Sequence, residues 1–184
     1  FAGNPGNTTT STEWEGSSWT STPSLSTGRG YLAGVGISSA AFGATGYVSG
    51  TPGPERTQTE EYNSIFTTAT APSWTAGGNL GTGRYGHAGA GTQSAALAFG
   101  GETPSTTANT EEYNGTSWAE QNNLPYAKQK LGGAGVQTAA LSIGGTPLPP
   151  NSVEEYNGSS WTAGGALGTG RYDVTGAGTQ TAGL

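Results

Sequence analysis

The residues from Ser73 to Leu97 recur almost intact from Ser160 to Leu184: of 25 aligned positions, 19 are identical. A chain that carries one stretch twice is built by repetition, and the period then limits what it can fold into. Looser copies extend the pattern. An aromatic residue follows Glu at Trp14, Tyr62, Tyr113 and Tyr156. A tryptophan comes next at Trp19, Trp74, Trp118 and Trp161, then a basic residue at Arg29, Arg84, Lys128 and Arg171. Successive copies of the first aromatic lie 43 to 51 residues apart, the length of a unit of four short strands. The pattern makes 1–184 a single domain of four repeats, with repeat boundaries near 28, 83, 127 and 170.

Each copy reads as strands, because glycine every few residues costs a helix about 1 kcal/mol per glycine relative to alanine. After the basic residue, 87–92 (HAGAGT) has side chains small enough for a crowded inner strand. A turn at Gln93 and Ser94 leads to 95–101 (AALAFGG), where Leu97 and Phe99 share one face by the two-residue period of a strand. A Pro- and Thr-rich loop precedes a third strand at 110–114 (TEEYN). The Asn114–Gly115 pair then turns the chain into a fourth at 117–121.

Composition fits such a unit. Leu, Ile, Val and Phe supply only 22 of 184 residues, whereas there are 34 Gly, 5 Trp and 8 Tyr. That mixture suits thin sheets in close approach, anchored by aromatic rings. The 18 charged residues and net charge of −6 are too few for a self-repelling disordered chain. Six basic residues among twelve acidic ones make nucleic acid a poor partner. No apolar run approaches the roughly 18 residues of a membrane-spanning helix, so no membrane insertion is expected.

A double glycine after an apolar strand, then Glu-Tyr, then Trp about five residues on, then Arg or Lys, resembles the kelch repeat. Gly100–Gly101 with Tyr113, Trp118 and Lys128, and Gly144–Gly145 with Tyr156, Trp161 and Arg171, carry the likeness. The first copy departs from it, with Ala44-Thr45-Gly46 for the double glycine and Trp14 for the tyrosine. Repeats of this kind also resemble those in tail and virion proteins of marine phages. The kelch resemblance implies an all-β fold: a β-propeller of four four-stranded blades. Leu184 ends at the position Leu97 occupies in its own copy, and Phe1 begins at that of Phe99. This phasing predicts pairing of N- and C-terminal strands in one blade, which closes the ring. The alternative is a window on a longer array or a larger ring.

Loops between the second and third strands (3–11, 46–58, 101–109 and 145–152) differ most between copies, whereas the turns on the opposite face barely change. Binding is expected on the variable face, since loops on a rigid scaffold carry function. Tyr47, Arg56, Glu102 and Asn151 are the candidate contacts. Arg29, Arg84, Lys128 and Arg171 each precede an innermost strand. They either ring one mouth of the central channel and hold an anion or buttress the blades, with Glu13, Glu61, Glu112 and Glu155 as partners. Ile65 and Phe66 lie in the eleven-residue segment between Tyr62 and Trp74, where the other copies have four residues, and are either packed locally or placed against a neighbouring chain.

Nothing in the sequence converges on catalysis. The doubled Glu at 60–61, 111–112 and 154–155 points to opposite faces of a strand, while acid–base work needs two groups on one substrate. His87 is the only histidine, Asp173 the only aspartate, and cysteine is absent, so neither a metal nor another cofactor is expected. The expectation is therefore a non-enzymatic structural or adhesive propeller, extracellular or on a virion surface as a phage tail module. Its partners would be other virion or surface proteins or further copies of itself. The alternative is a lectin that binds glycan through the variable loops.

Overall fold

In the computed structural model, residues 9–14, 16–37, 40–44, 46, 57–63, 73–147 and 149–183 are described. Every regular element among them is a β-strand. The chain opens with a two-stranded sheet, β1 (Ser11–Trp14) and β2 (Trp19–Thr22). Three four-stranded antiparallel sheets follow in sequence order. The first holds β3 (Ala33–Ile37), β4 (Ala40–Ala44), β5 (Thr59–Asn63) and β6 (Ser73–Ala76). The second holds β7 (Ala88–Thr92), β8 (Ala95–Phe99), β11 (Thr110–Tyr113) and β12 (Trp118–Gln121). Its connecting loop carries a small hairpin, β9 (Glu102–Thr103) with β10 (Ser105–Thr106). The third holds β13 (Gly132–Val136), β14 (Ala139–Ile143), β15 (Val153–Tyr156) and β16 (Trp161–Ala163), and β17 (Gly178–Thr179) with β18 (Ala182–Gly183) ends the chain. This is a propeller-like stack of sheets.

The two short sheets are complementary fragments of the same unit. In each complete sheet the third strand carries the first aromatic residue of the repeat and the fourth its tryptophan. β1 and β2 match these two strands, and Trp14 is paired with Trp19 as Tyr113 is with Trp118. β17 and β18 match the first two strands. Among the described residues β1 pairs only with β2, and β18 only with β17.

Small residues set how closely the sheets approach. A Cβ on Gly133 of β13 would lie 2.4 Å from the Gly89 carbonyl oxygen of β7 and 3.0 Å from the Phe99 ring. The second strands β8 and β14 are covered on both faces, which is why they read as nearly unbroken apolar runs. The double glycine has a distinct task. Gly101 has φ +105° and donates its N–H to the Lys128 carbonyl of the next sheet at 2.8 Å, and Gly145 does the same to Arg171 at 2.8 Å. A side chain on Gly100 would collide with that Lys128 oxygen, at 2.6 Å.

Each sheet also grips the one before it through a repeated set of side chains. The Tyr113 hydroxyl donates to Glu61, and the Tyr156 hydroxyl donates to Glu112 at 3.1 Å. Trp161 donates its indole N–H to the Thr110 hydroxyl at 3.0 Å, its ring 4.8 Å from that of Phe99, and Trp74 donates likewise to Ser11 at 3.4 Å. Turn glutamines complete the grip: Gln93, Gln137 and Gln180 donate to the carbonyls of Tyr62, Tyr113 and Tyr156 at 2.9, 2.7 and 2.7 Å.

The proposed basic ring at the channel mouth is not what forms. Arg29, Arg84 and Lys128 are buried, and each is neutralised inside its own sheet by Glu60, Glu111 and Glu154 respectively. An unpaired cation at such depth would be too costly, so each is matched by an acid. The partner is the first glutamate of each doublet, not Glu61, Glu112 or Glu155 as expected. The second glutamate faces the other way, where Glu61 and Glu112 meet the tyrosine of the next sheet. Arg171 alone of the four is exposed.

Candidate binding site at the inner rim

The first strands β3, β7 and β13 lie side by side, so the segments leading into them converge at one inner edge. Two residues beyond each basic residue, the backbone turns into the left-handed region. Tyr31, Gly86, Lys130 and Asp173 have φ of 55°, 63°, 56° and 54°. Main-chain hydrogen bonds link them in sequence. Gly86 N–H donates to Tyr31 C=O at 3.4 Å, Lys130 to Gly86 at 2.8 Å, and Asp173 to Lys130 at 2.8 Å. The rim is thus a belt of backbone bonds that carries a side chain at three of its four stations, Gly86 being bare.

Three of these four stations hold Tyr, Lys and Asp, at a conformation that favours glycine. A non-glycine residue held there stores strain of about 1–3 kcal/mol. Tyr31 is 52% exposed and the side chains of Lys130 and Asp173 are 43% and 56% exposed, so burial does not repay them. Lys130 Nζ lies 3.6 Å from the Asp173 carboxylate and 5.8 Å from the centre of the Tyr172 ring.

Inside the belt is a cavity of about 380 Å³, lined by Tyr31, Tyr85, Gly86, Glu102, Gln129 and Lys130. Glu102 arrives from the variable loop, clamped by paired backbone bonds to Tyr85 at 2.9 and 3.2 Å. Gln129 is clamped to Thr146 in the same way, at 2.8 and 2.9 Å. The Glu102 carboxylate and the Gln129 amide make no hydrogen bond to any described residue, so two half-buried polar groups stand ready at the cavity wall.

His87 lies beneath this rim, buried. Desolvation and the nearby Arg84 charge push its pKa down to about 3, so it is a neutral packing residue. Burial also pushes Lys128 down, opposed by the Glu154 carboxylate beside it.

Of the described residues singled out from the sequence, Glu102 alone lines the cavity. Asn151 is half-buried in a turn, where its carbonyl accepts the Leu167 N–H at 2.8 Å. Tyr47, Arg56, Ile65 and Phe66 lie outside the described residues. Tyr31, Tyr85, Gln129, Lys130, Tyr172 and Asp173 were not singled out. For Tyr31, Lys130 and Asp173 the sequence carries a signal: the position two beyond each basic residue reads Tyr, Gly, Lys and Asp, a different residue in each copy.

No protein-family model matches the sequence, and no curated protein matches it. Among solved structures the chain is similar to that of the protein YjhT, with a TM-score of 0.69 at 12% identity, over 91% of this chain and 62% of that one. The chain therefore spans less than two thirds of that structure's length. At this identity the likeness bears on the fold alone: all-β, with four-stranded antiparallel sheets in a propeller-like arrangement.

Proposed function

We propose that this chain is a non-enzymatic adhesive or structural module, displayed outside the cell as part of a phage particle, with the inner rim as its contact surface. One observation carries the reading. The groups that hold the sheets together recur from copy to copy and are largely buried, whereas the rim keeps its backbone and changes its side chain in every copy. Folding would be served by glycine at Tyr31, Lys130 and Asp173, so another demand keeps side chains there. A kelch-type identity and the likeness to phage repeats belong to the same proposal.

The test follows from the strain. Replacing Tyr31, Lys130 and Asp173 together by Gly is expected to leave the melting temperature unchanged or higher, while abolishing retention of the purified chain on intact particles or cells of its source. Unaltered retention would remove the reading.

The ring of four blades is also a proposal, with β18 laid against β1 to complete a fourth sheet. Its support is that the two short sheets hold complementary halves of the unit. In addition, Trp14 and Trp19 are 50% and 65% exposed, where Tyr113 and Tyr156 are buried. An exchange at Thr12 tests it, because Thr12 holds the place that Glu60, Glu111 and Glu154 fill in the complete sheets. Thr12→Glu should stabilise a closed ring by meeting Arg171, and should do nothing for an open one.

A further inference from the structure

We infer that the rim cavity is a binding site for a neutral pyranose sugar, an inference that rests on the reading of the rim as the contact surface. Two tyrosines, Tyr31 and Tyr85, contribute to its walls, and an aromatic face in a concave site packs against an apolar face of a ligand. The polar groups are of both kinds. Glu102 offers carboxylate acceptors, while Gln129 offers an amide donor and acceptor and Lys130 an ammonium donor. Hydroxyl groups both donate and accept, so a ring with C–H groups on one face and hydroxyls at its edge satisfies all three at once.

Charge narrows the class. Glu102 stands with no cation bonded to it among the described residues, whereas Lys130 already has Asp173 at 3.6 Å. Among the described residues the uncompensated charge on the cavity wall is therefore negative, which disfavours acidic sugars and carboxylate ligands. A free cation is disfavoured in turn by Lys130 on the same wall. A volume of about 380 Å³ lies within the range of small-ligand pockets, roughly 300–1,000 Å³. Because Glu102 and Gln129 are fixed by paired main-chain bonds, neither loop has to be ordered when the ligand arrives.

The experiment is saturation-transfer NMR and titration of the full chain with methyl glycosides of glucose, galactose, mannose and N-acetylglucosamine. N-acetylneuraminic acid and glycine serve as charged controls. At least one neutral glycoside is expected to bind, with shifts at Tyr31 and Tyr85. Glu102→Gln should weaken binding about tenfold or more without altering the melting temperature, because it removes a charge-assisted acceptor that plays no part in folding. Binding only to the acidic sugar or to glycine, or binding unaffected by Glu102→Gln, would overturn the inference. A separate arm repeats the retention assay with saturating glycoside. Loss of retention supports the sugar assignment. Retention that persists with sugar but is lost in the Tyr31, Lys130 and Asp173 glycine variant sinks the sugar and leaves the adhesive reading standing. Retention that survives both treatments removes the adhesive reading as well.

Discussion

His87 carries a pH dependence that can be worked out from its burial. Its folded pKa is depressed to about 3, against 6.5 for the free side chain. Above pH 6.5 neither folded nor unfolded chain binds the proton, and the full stability is present. Between pH 6.5 and 3 the unfolded chain takes up a proton that the folded chain refuses. Stability therefore falls as pH falls, by up to about 1.4 kcal/mol per pH unit. His87→Leu, with the residue that Leu131 supplies at the same place in the next copy, should flatten this part of the curve. Urea unfolding of both proteins across that window measures it, and equal slopes would mean that His87 is protonated in the folded state. The solitary histidine was legible in the sequence as a plain strand residue. Its depth was not, because burial there depends on the neighbouring sheet, and no local pattern reports that.

At the scale of the element, the sheets form where the alternation and turn residues place them. β7, β11 and β12 begin and end within one residue of the runs read from 87–92, 110–114 and 117–121, and β8 stops two residues short of the run 95–101, at the double glycine. The partner of each basic residue was harder to read, because two adjacent glutamates are equivalent until one knows which face of the strand meets which sheet. Burial decides it: Arg84 and Glu111 are 0% and 1% exposed, so Glu111 faces inward and Glu112 faces the following sheet. Glu111→Gln leaves Arg84 charged in a dry site and is expected to cost about 3–5 kcal/mol by denaturant unfolding. Glu112→Gln, which weakens one hydrogen bond at a half-buried position, should cost distinctly less. Comparable losses from the two would mean that the doublet is assigned the wrong way round.

For the whole molecule, the order of sheets follows from the repeat alone, but contacts between copies could not be read from any one of them. The glutamine and tyrosine grip, with the indoles of Trp74 and Trp161, reaches back to the preceding sheet, and Gln180 places β17–β18 on the third complete sheet as the start of another. Continued into a closed ring, this arrangement would set Trp19 over Val153, the position at which Thr110 and Ser11 accept an indole N–H. It would also set Arg171 opposite Thr12. Thr12→Glu is then expected to add about 1.5–3 kcal/mol, the range for a hydrogen bond to a charged group. The gain should vanish in an Arg171→Gln background. A Thr12→Glu chain no more stable than its parent in denaturant would speak for an open arc.

The main-chain bonds of the belt from Tyr31 to Asp173 run through peptide groups, and the Lys130–Asp173 ion pair is added between side chains. Those main-chain bonds do not depend on the side chain a station carries, so residues other than proline that tolerate the left-handed backbone can be exchanged there without loosening the rest. A scaffold with that property can change its target by single substitutions while its core is left alone. Varying the stations 31, 86, 130 and 173 together among glycine, asparagine, aspartate and unbranched side chains would give a library whose members differ in what they hold far more than in how they fold.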